Sequence, residues 1–179
     1  MNIFDVFKNR YSHKENFLAD AVPLADLEKI AEAGLSAPNG VNRQVVRLIL
    51  LPDRKSLDPV CAVSPSCGLE TAPAAIAVLT DTTITPPPPE AFNFEKEDYS
   101  AAVTQMLLAA TALGYSSLWL DSPYFDAEKR KKATAVLGAP ETYYLWAVIP
   151  IGKPNGTGSR RERLPFSDRV SYGRFGEKK

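Results

Sequence analysis

Three separated segments of the chain carry side chains suited to binding one anionic, planar ligand. The first reads Asn9-Arg10-Tyr11-Ser12-His13-Lys14 and offers a guanidinium, a hydroxyl and an ammonium group within a few residues. An arginine binds phosphate through two parallel hydrogen bonds, and a serine adds a neutral donor. The alternative interpretation is that these basic residues only complement the dipole at the end of a helix.

The second segment, residues 37–44, reads Ala-Pro-Asn-Gly-Val-Asn-Arg-Gln and lies between a predicted helix and a predicted buried strand. The side-chain amides of Asn42 and Gln44 both donate and accept hydrogen bonds, which suits the alternating polar edge of an isoalloxazine or a nucleobase. An ordinary helix-to-strand turn would contain the same turn-forming residues, and that alternative stays open.

The third segment is the run Arg160-Arg161-Glu162-Arg163 near the C-terminal end of the sequence. A run of charges is more often a solvated surface than a site. These arginines, however, follow the last predicted strand after a short Gly-containing loop, Pro154–Ser159. We therefore expect them to lie near the sheet.

Alternating helices and strands must position these segments. Helices are predicted over 2–9, 24–36 and 93–114, and from an N-cap at Asp126 to Leu137, with Gly138 beyond its end. Strands are predicted over Val45–Leu51, Ala74–Leu79, Ser117–Leu120 and Tyr143–Ile151, with a possible further helix between the first two. This interleaving predicts an α+β fold, with helices packed on a mixed sheet. The second half of helix 93–114 is apolar almost all round, which favours burial at the centre of a subunit or at a subunit interface.

Composition excludes several classes of protein. The 179 residues suit one domain over 1–179, and the formal net charge of zero disfavours a nucleic-acid partner. No apolar run is long enough for a membrane span and no signal peptide is visible, so we expect a cytoplasmic protein. With His13 as the one histidine, and with Cys61 and Cys67 expected to be reduced thiols, we predict no metal site and no Ser-His-Asp machinery. No GxGxxG follows a strand, which disfavours a classical nucleotide-binding dehydrogenase.

The motifs, in order and with consistent spacing, resemble the nitroreductase family of FMN-dependent oxidoreductases. Residues 10–14 are similar to the family's opening Arg-x-Ser-x-Arg/Lys signature, and residues 37–44 resemble its Ala/Ser-Pro-Ser-x-x-Asn-x-Gln loop. The resemblance extends from about residue 3 to 170 through four further segments: Ala109–Trp119, Val136–Pro140, Ile149–Pro154 and Arg161–Pro165.

The resemblance implies a three-layer α-β-α fold with a central, mainly antiparallel sheet, in a homodimer with FMN at the interface. It implies that the FMN phosphate and ribityl chain are held by Arg10, Ser12, Arg161 and Arg163, with Tyr11 between them. Lys14 would approach the N1–C2=O edge of the flavin. The ring or tail would be lined from the partner subunit by Pro38, Asn39, Gly40 and Asn42, with Gln44 completing that loop. Backbone groups of Leu120, Asp121 and Ser122 would face N5.

The function implied is transfer of electrons from NAD(P)H through FMN to a nitroaromatic, a quinone or a related small acceptor, by a ping-pong mechanism. Segment Thr82–Phe94, with its four prolines, would be either a cover over the acceptor or a plain surface loop. Two alternatives remain open for the function: a flavin-binding carrier without turnover, and a specialised chemistry such as reductive dehalogenation or flavin breakdown.

Overall fold

The computed structural model describes residues 2–84, 93–158 and 161–179. The described helices are α1 (Ile3–Asn9), α2 (Leu24–Leu35), α3 (Arg54–Val63), α4 (Glu95–Ala112), α5 (Ala127–Val136) and α6 (Phe166–Arg169). The described strands are β1 (Val46–Leu51), β2 (Ala74–Asp81), β3 (Ser116–Ser117) and β4 (Tyr143–Gly152). Short 3-10 turns lie at Gly40–Asn42 and Ser122–Phe125. Most of the Thr82–Phe94 segment, and both Ser159 and Arg160, lie outside the described residues.

The four strands form one sheet in the order β1-β2-β4-β3, and each neighbouring pair is antiparallel. The one parallel element among the described bridges joins Ser12 to Ser117. The expectation of an α+β fold with a mainly antiparallel central sheet is therefore confirmed.

Helices cover both faces of the sheet, which explains why β2 is buried at every position. Ala74, Ile76 and Val78 point into a core shared with α2 and α4, whereas Ala75, Ala77 and Leu79 point into a second core shared with α3 and α5. Side chains alternate between the two faces of a strand, so a strand covered on both faces reads as a continuous apolar run.

Local caps set several helix ends. The Asp126 side chain accepts a hydrogen bond from Lys129 N at 2.9 Å, as expected for the predicted N-cap of α5, and Gly138 follows the helix with φ of 68°. The predicted strand Ser117–Leu120 proved shorter and earlier, at Ser116–Ser117, with only an isolated bridge from Leu120 to Val148. Strand length here depends on how much of β4 is available as a partner, which local residue preference does not encode.

Helix α4 packs its buried residues, among them Val103, Met106 and Ala110, against α2 and the sheet. Along the same helix Thr104 and Ala112 are exposed in the single chain, and the adjoining Leu113 is 39% exposed. The placement of this helix at a subunit interface stays a prediction. Among the described residues, no helix combines the length and apolarity that crossing a membrane requires.

Helices α2 and α4 are in close contact at Gly34. A Cβ added there would lie 2.6 Å from Cγ of Met106 and 3.3 Å from the carbonyl oxygen of Ala102. Contacts this short are not tolerated without movement of the neighbour. The absence of a side chain at Gly34 therefore lets α2, the helix that leads into residues 37–44, pack closely against α4.

We predict that Gly34→Ala lowers the free energy of unfolding by about 1–3 kcal/mol through overpacking, despite the gain of roughly 0.5–1 kcal/mol in helix propensity. Urea unfolding measures both effects together. In a Met106→Ala background only the 3.3 Å contact with the Ala102 carbonyl oxygen remains, so the penalty should be clearly smaller there. Equal penalties in both backgrounds would contradict the packing argument.

Candidate functional site

A cavity of about 620 Å³ lies where the N-terminal segment meets Gly158, Arg161 and Arg163. Its described lining is Phe7, Lys8, Arg10, Tyr11, Ser12, Lys14, Glu15, Gly158, Arg161 and Arg163. Six of these were predicted site residues, from the first and third segments. Sequence reasoning missed Phe7, Lys8, Glu15 and Gly158, although Lys8 has the same signal as its neighbours, a cation at the end of a helix.

Main-chain hydrogen bonds hold the first segment against the sheet. The His13 amide donates to Ser117 O at 3.0 Å, and Leu18 N donates to Lys153 O at 2.9 Å. His13 itself is fully buried, with Nε2 2.9 Å from Asn16 O. Because a carbonyl oxygen only accepts, Nε2 carries the proton. The single histidine therefore has a structural role in the loop.

Tyr11 joins the first segment to the C-terminal side of the cavity. Ser116 Oγ donates to the Tyr11 hydroxyl at 3.0 Å. The Tyr11 ring lies directly on the backbone of Gly158, since a Cβ at residue 158 would come within 2.0 Å of it. This contact fixes the chain just ahead of Arg161 beside the loop that carries Arg10.

The cavity has a strong excess of positive charge. Among its described lining residues there are five cations, Lys8, Arg10, Lys14, Arg161 and Arg163, and one carboxylate, Glu15. Cations gathered this closely repel one another, and an anion placed between them removes the repulsion. Guanidinium groups match a phosphate geometrically, so the cavity suits a phosphorylated ligand.

The second predicted segment lies elsewhere on the single chain. Pro38, Asn39 and Gln44 line another cavity, of about 370 Å³, between α2, β1 and α4. Gly40 and Asn42 lie in the adjoining 3-10 turn. None of these five is among the described residues that line the larger cavity.

The turn at residues 40–44 is strained. Val41, Asn42 and Gln44 have φ of 45°, 57° and 53°, in the left-handed region. Such conformations cost on the order of 1–3 kcal/mol each for residues other than glycine, and most for a β-branched one such as Val41. Strain of this kind persists only where surrounding contacts enforce it, and it is concentrated at functional sites.

A buried carboxylate supports this turn. Gly40 N donates to Asp98 Oδ1 at 2.7 Å, and Gln44 N donates to Asn39 Oδ1 at 3.1 Å. Burial raises the pKa of the Asp98 carboxyl above its ordinary value, and the hydrogen bond from Gly40 opposes that shift. Sequence reasoning missed Asp98; the available signal was an acidic residue next to Tyr99 on the apolar face of α4.

The third group of predicted residues, Leu120, Asp121 and Ser122, is not among the described lining of either cavity. Leu120 is buried and its carbonyl oxygen accepts from Val148 N at 2.9 Å, so that group serves the sheet. Asp121 is half-buried and Ser122 is exposed. The single chain therefore brings the first segment to Arg161 and Arg163, and leaves residues 37–44 and 120–122 outside that cavity.

The sequence of this chain is similar to those of known proteins. The model of the nitroreductase family matches residues 7–65 and 62–153. A protein of Archaeoglobus fulgidus named "Putative NADH dehydrogenase/NAD(P)H nitroreductase" is 35% identical over 130 residues, which are 72% of each chain.

Solved structures share the fold over nearly the whole chain. A nitroreductase family protein from Clostridium difficile 630 superimposes with a TM-score of 0.78 and 26% identity, covering 97% of this chain and 99% of that one. The NADPH:FMN oxidoreductase of Vibrio harveyi, complexed with NAD+, gives a TM-score of 0.80 at 20% identity, covering 100% of this chain and 80% of that one. The family match, the relative and the fold agree, and the chain belongs to the nitroreductase family.

Proposed function

We propose that this chain is an FMN-dependent oxidoreductase that takes electrons from NAD(P)H and delivers them to a small organic acceptor, such as a nitroaromatic or a quinone, in a ping-pong cycle. The observation that carries the proposal is the 620 Å³ cavity in which Arg10, Arg161 and Arg163 come together. The proposal is supported by the name of a relative, an NAD(P)H nitroreductase, and by the name of a protein with the same fold, an NADPH:FMN oxidoreductase.

The donors in the cavity fit the phosphate end of FMN. The phosphate is close to dianionic, and three guanidinium groups with the Ser12 hydroxyl provide both charge and hydrogen bonds for it. Tyr11 and Gly158 form the wall that keeps the N-terminal and C-terminal arginines on the same cavity. In this proposal the carboxylate of Glu15 reduces the excess positive charge of the cavity.

When bound, FMN would supply the redox chemistry by accepting a hydride from NAD(P)H and passing electrons on to the acceptor. The contribution of the protein is then binding and electrostatics. Lys14 would place a cation at the N1–C2=O edge of the ring and stabilise the negative charge that reduction brings there. No acid–base pair is needed for this role, which agrees with a histidine occupied by the backbone.

In the proposed homodimer, the Asn39–Gln44 turn of each chain would reach the cavity of the second copy, and residues 120–122 would face the ring. The separation of these segments from the cavity within one chain supports a shared site. The extent of the domain, 1–179, and a cytoplasmic location are also part of the proposal.

We expect the purified protein to show a yellow flavin absorption spectrum. Anaerobic NADH or NADPH should bleach it, and adding a quinone or nitroaromatic should restore it. A flavin-loaded protein that neither nucleotide bleaches would support a carrier without turnover. Protein that stays colourless after incubation with FMN would refute the proposal.

We predict that Arg10→Ala and Arg161→Ala each weaken FMN binding by about 1.5–3 kcal/mol, roughly tenfold to a hundredfold in Kd, because each removes a charge-assisted phosphate contact. Titration of flavin-free protein with FMN, followed by flavin fluorescence, measures the change. Arg169→Ala is the matched control, since Arg169 is an exposed arginine of α6 outside the cavity lining. Wild-type affinity in both cavity variants would contradict the assignment of the phosphate site.

We further predict that Lys14→Met makes the midpoint potential of the bound flavin more negative, because it removes a cation that favours the reduced form. Redox titration against reference dyes gives the value. Lys55→Met, a change at an exposed lysine of α3, should leave the potential unaltered. An equal shift in both variants would show that overall charge, and not a contact at the ring, sets the potential.

A further inference from the structure

The strained turn at residues 40–44 exposes an apolar side chain. Val41 is 73% exposed and lies in the left-handed region, although it is β-branched. In the single chain the Val41 side chain gains no stabilisation from burial, and its backbone conformation is unfavourable. Contacts from elsewhere in the chain must therefore enforce the turn.

Helix α4 and Phe94, the residue before it, supply those contacts. Asp98 Oδ1 accepts from Gly40 N at 2.7 Å, and the ring of Phe94 packs so closely on Gly40 that a Cβ there would come within 2.4 Å of it. The guanidinium of Arg43 lies 6.0 Å from the centre of the same ring. Asp98 is only 3% exposed, and it lies in the lining of the 370 Å³ cavity beside Pro38 and Asn39.

Stabilisation of α4 does not explain why Asp98 is buried. Acidic residues at the start of a helix favour its dipole, but Glu95 and Glu97 in the same turn already provide that charge, and Glu97 does so from an exposed position. Burying a carboxylate costs free energy unless hydrogen bonds compensate. The compensating donor here is the Gly40 amide, which belongs to the turn.

The next residue of α4 supports the other isolated segment. The Tyr99 ring stacks on Trp146 with centroids 4.6 Å apart and meets Trp119 edge-on at 5.8 Å. Trp119 directly precedes Leu120, Asp121 and Ser122. The start of α4 therefore contacts the 40–44 turn and the residue that precedes segment 120–122.

We infer that Asp98 is a positioning residue: its buried carboxylate holds residues 40–44 in the strained conformation in which they contact the flavin of a second copy. The inference rests on the proposed function for the ligand, but the anchoring itself does not depend on flavin. Asp98 touches neither FMN nor substrate in this scheme and acts through the Gly40 amide.

The test compares Asp98→Ala, which removes the acceptor, with Asp98→Asn, whose side-chain oxygen can still accept from Gly40. Glu97→Ala is the matched control, one residue away on the same helix and exposed. Hydrogen exchange at the Gly40 amide, measured without FMN, reports the anchor, and fluorescence titration with FMN reports the site. Should Asp98→Ala fail to fold, Asp98→Leu removes the acceptor and keeps the branched shape of the side chain.

We expect Gly40 exchange to accelerate at least about tenfold and FMN affinity to fall about tenfold in Asp98→Ala, with Asp98→Asn and Glu97→Ala within about threefold of wild type. Wild-type exchange at Gly40 in Asp98→Ala would overturn the inference. Accelerated exchange with unchanged FMN affinity would overturn it as well. If the wild-type protein itself does not bind FMN, the proposed function fails, and the exchange result alone decides whether Asp98 holds the turn.

Discussion

The arrangement of the molecule depends on holding like charges together. Lys8, Arg10 and Lys14 from one end of the chain meet Arg161 and Arg163 from the other around a single cavity. Electrostatic repulsion opposes that arrangement, and the exposure of four of the five cations to water weakens it. The backbone must therefore hold these residues in place before any ligand neutralises them.

The sheet provides that constraint through its main chain. The loop that carries the N-terminal cations bonds to Ser117 in β3 and to Lys153 just after β4, two neighbouring strands at the far side of the sheet from β1. Gly158, which lies against Tyr11, follows β4 by a few residues. Both basic segments thus depend on the same pair of strands, and the two buried cores on either side of β2 and β4 keep those strands fixed.

Sequence reasoning succeeded where a local rule decides the outcome. Asp126 could be assigned as an N-cap because a short acidic side chain before a helix bonds its free amides, and β2 could be assigned because a doubly covered strand is apolar throughout. It also chose four of the five cations that share the cavity, Arg10, Lys14, Arg161 and Arg163, and missed Lys8. It did not find Asp98, because the partner of that carboxylate is a backbone amide 58 residues earlier in the chain, and no spacing rule reports such a contact. Likewise the bounds of β3 follow from its pairing with β4, which only the folded chain determines.

The contact between Tyr11 and the backbone of Gly158 has a consequence for biosynthesis. The cations that share the cavity are separated by about 150 residues of sequence, so a ribosome adding roughly 5–20 residues per second exposes the first of them many seconds before the last. Helices α1 to α5 and all four described strands precede Arg161 in the sequence, so Arg161 and Arg163 are the last residues of the described cavity lining to be synthesised. Synthesis up to residue 160 therefore yields the residues of all four described strands but only three of the five cations that line the cavity, Lys8, Arg10 and Lys14.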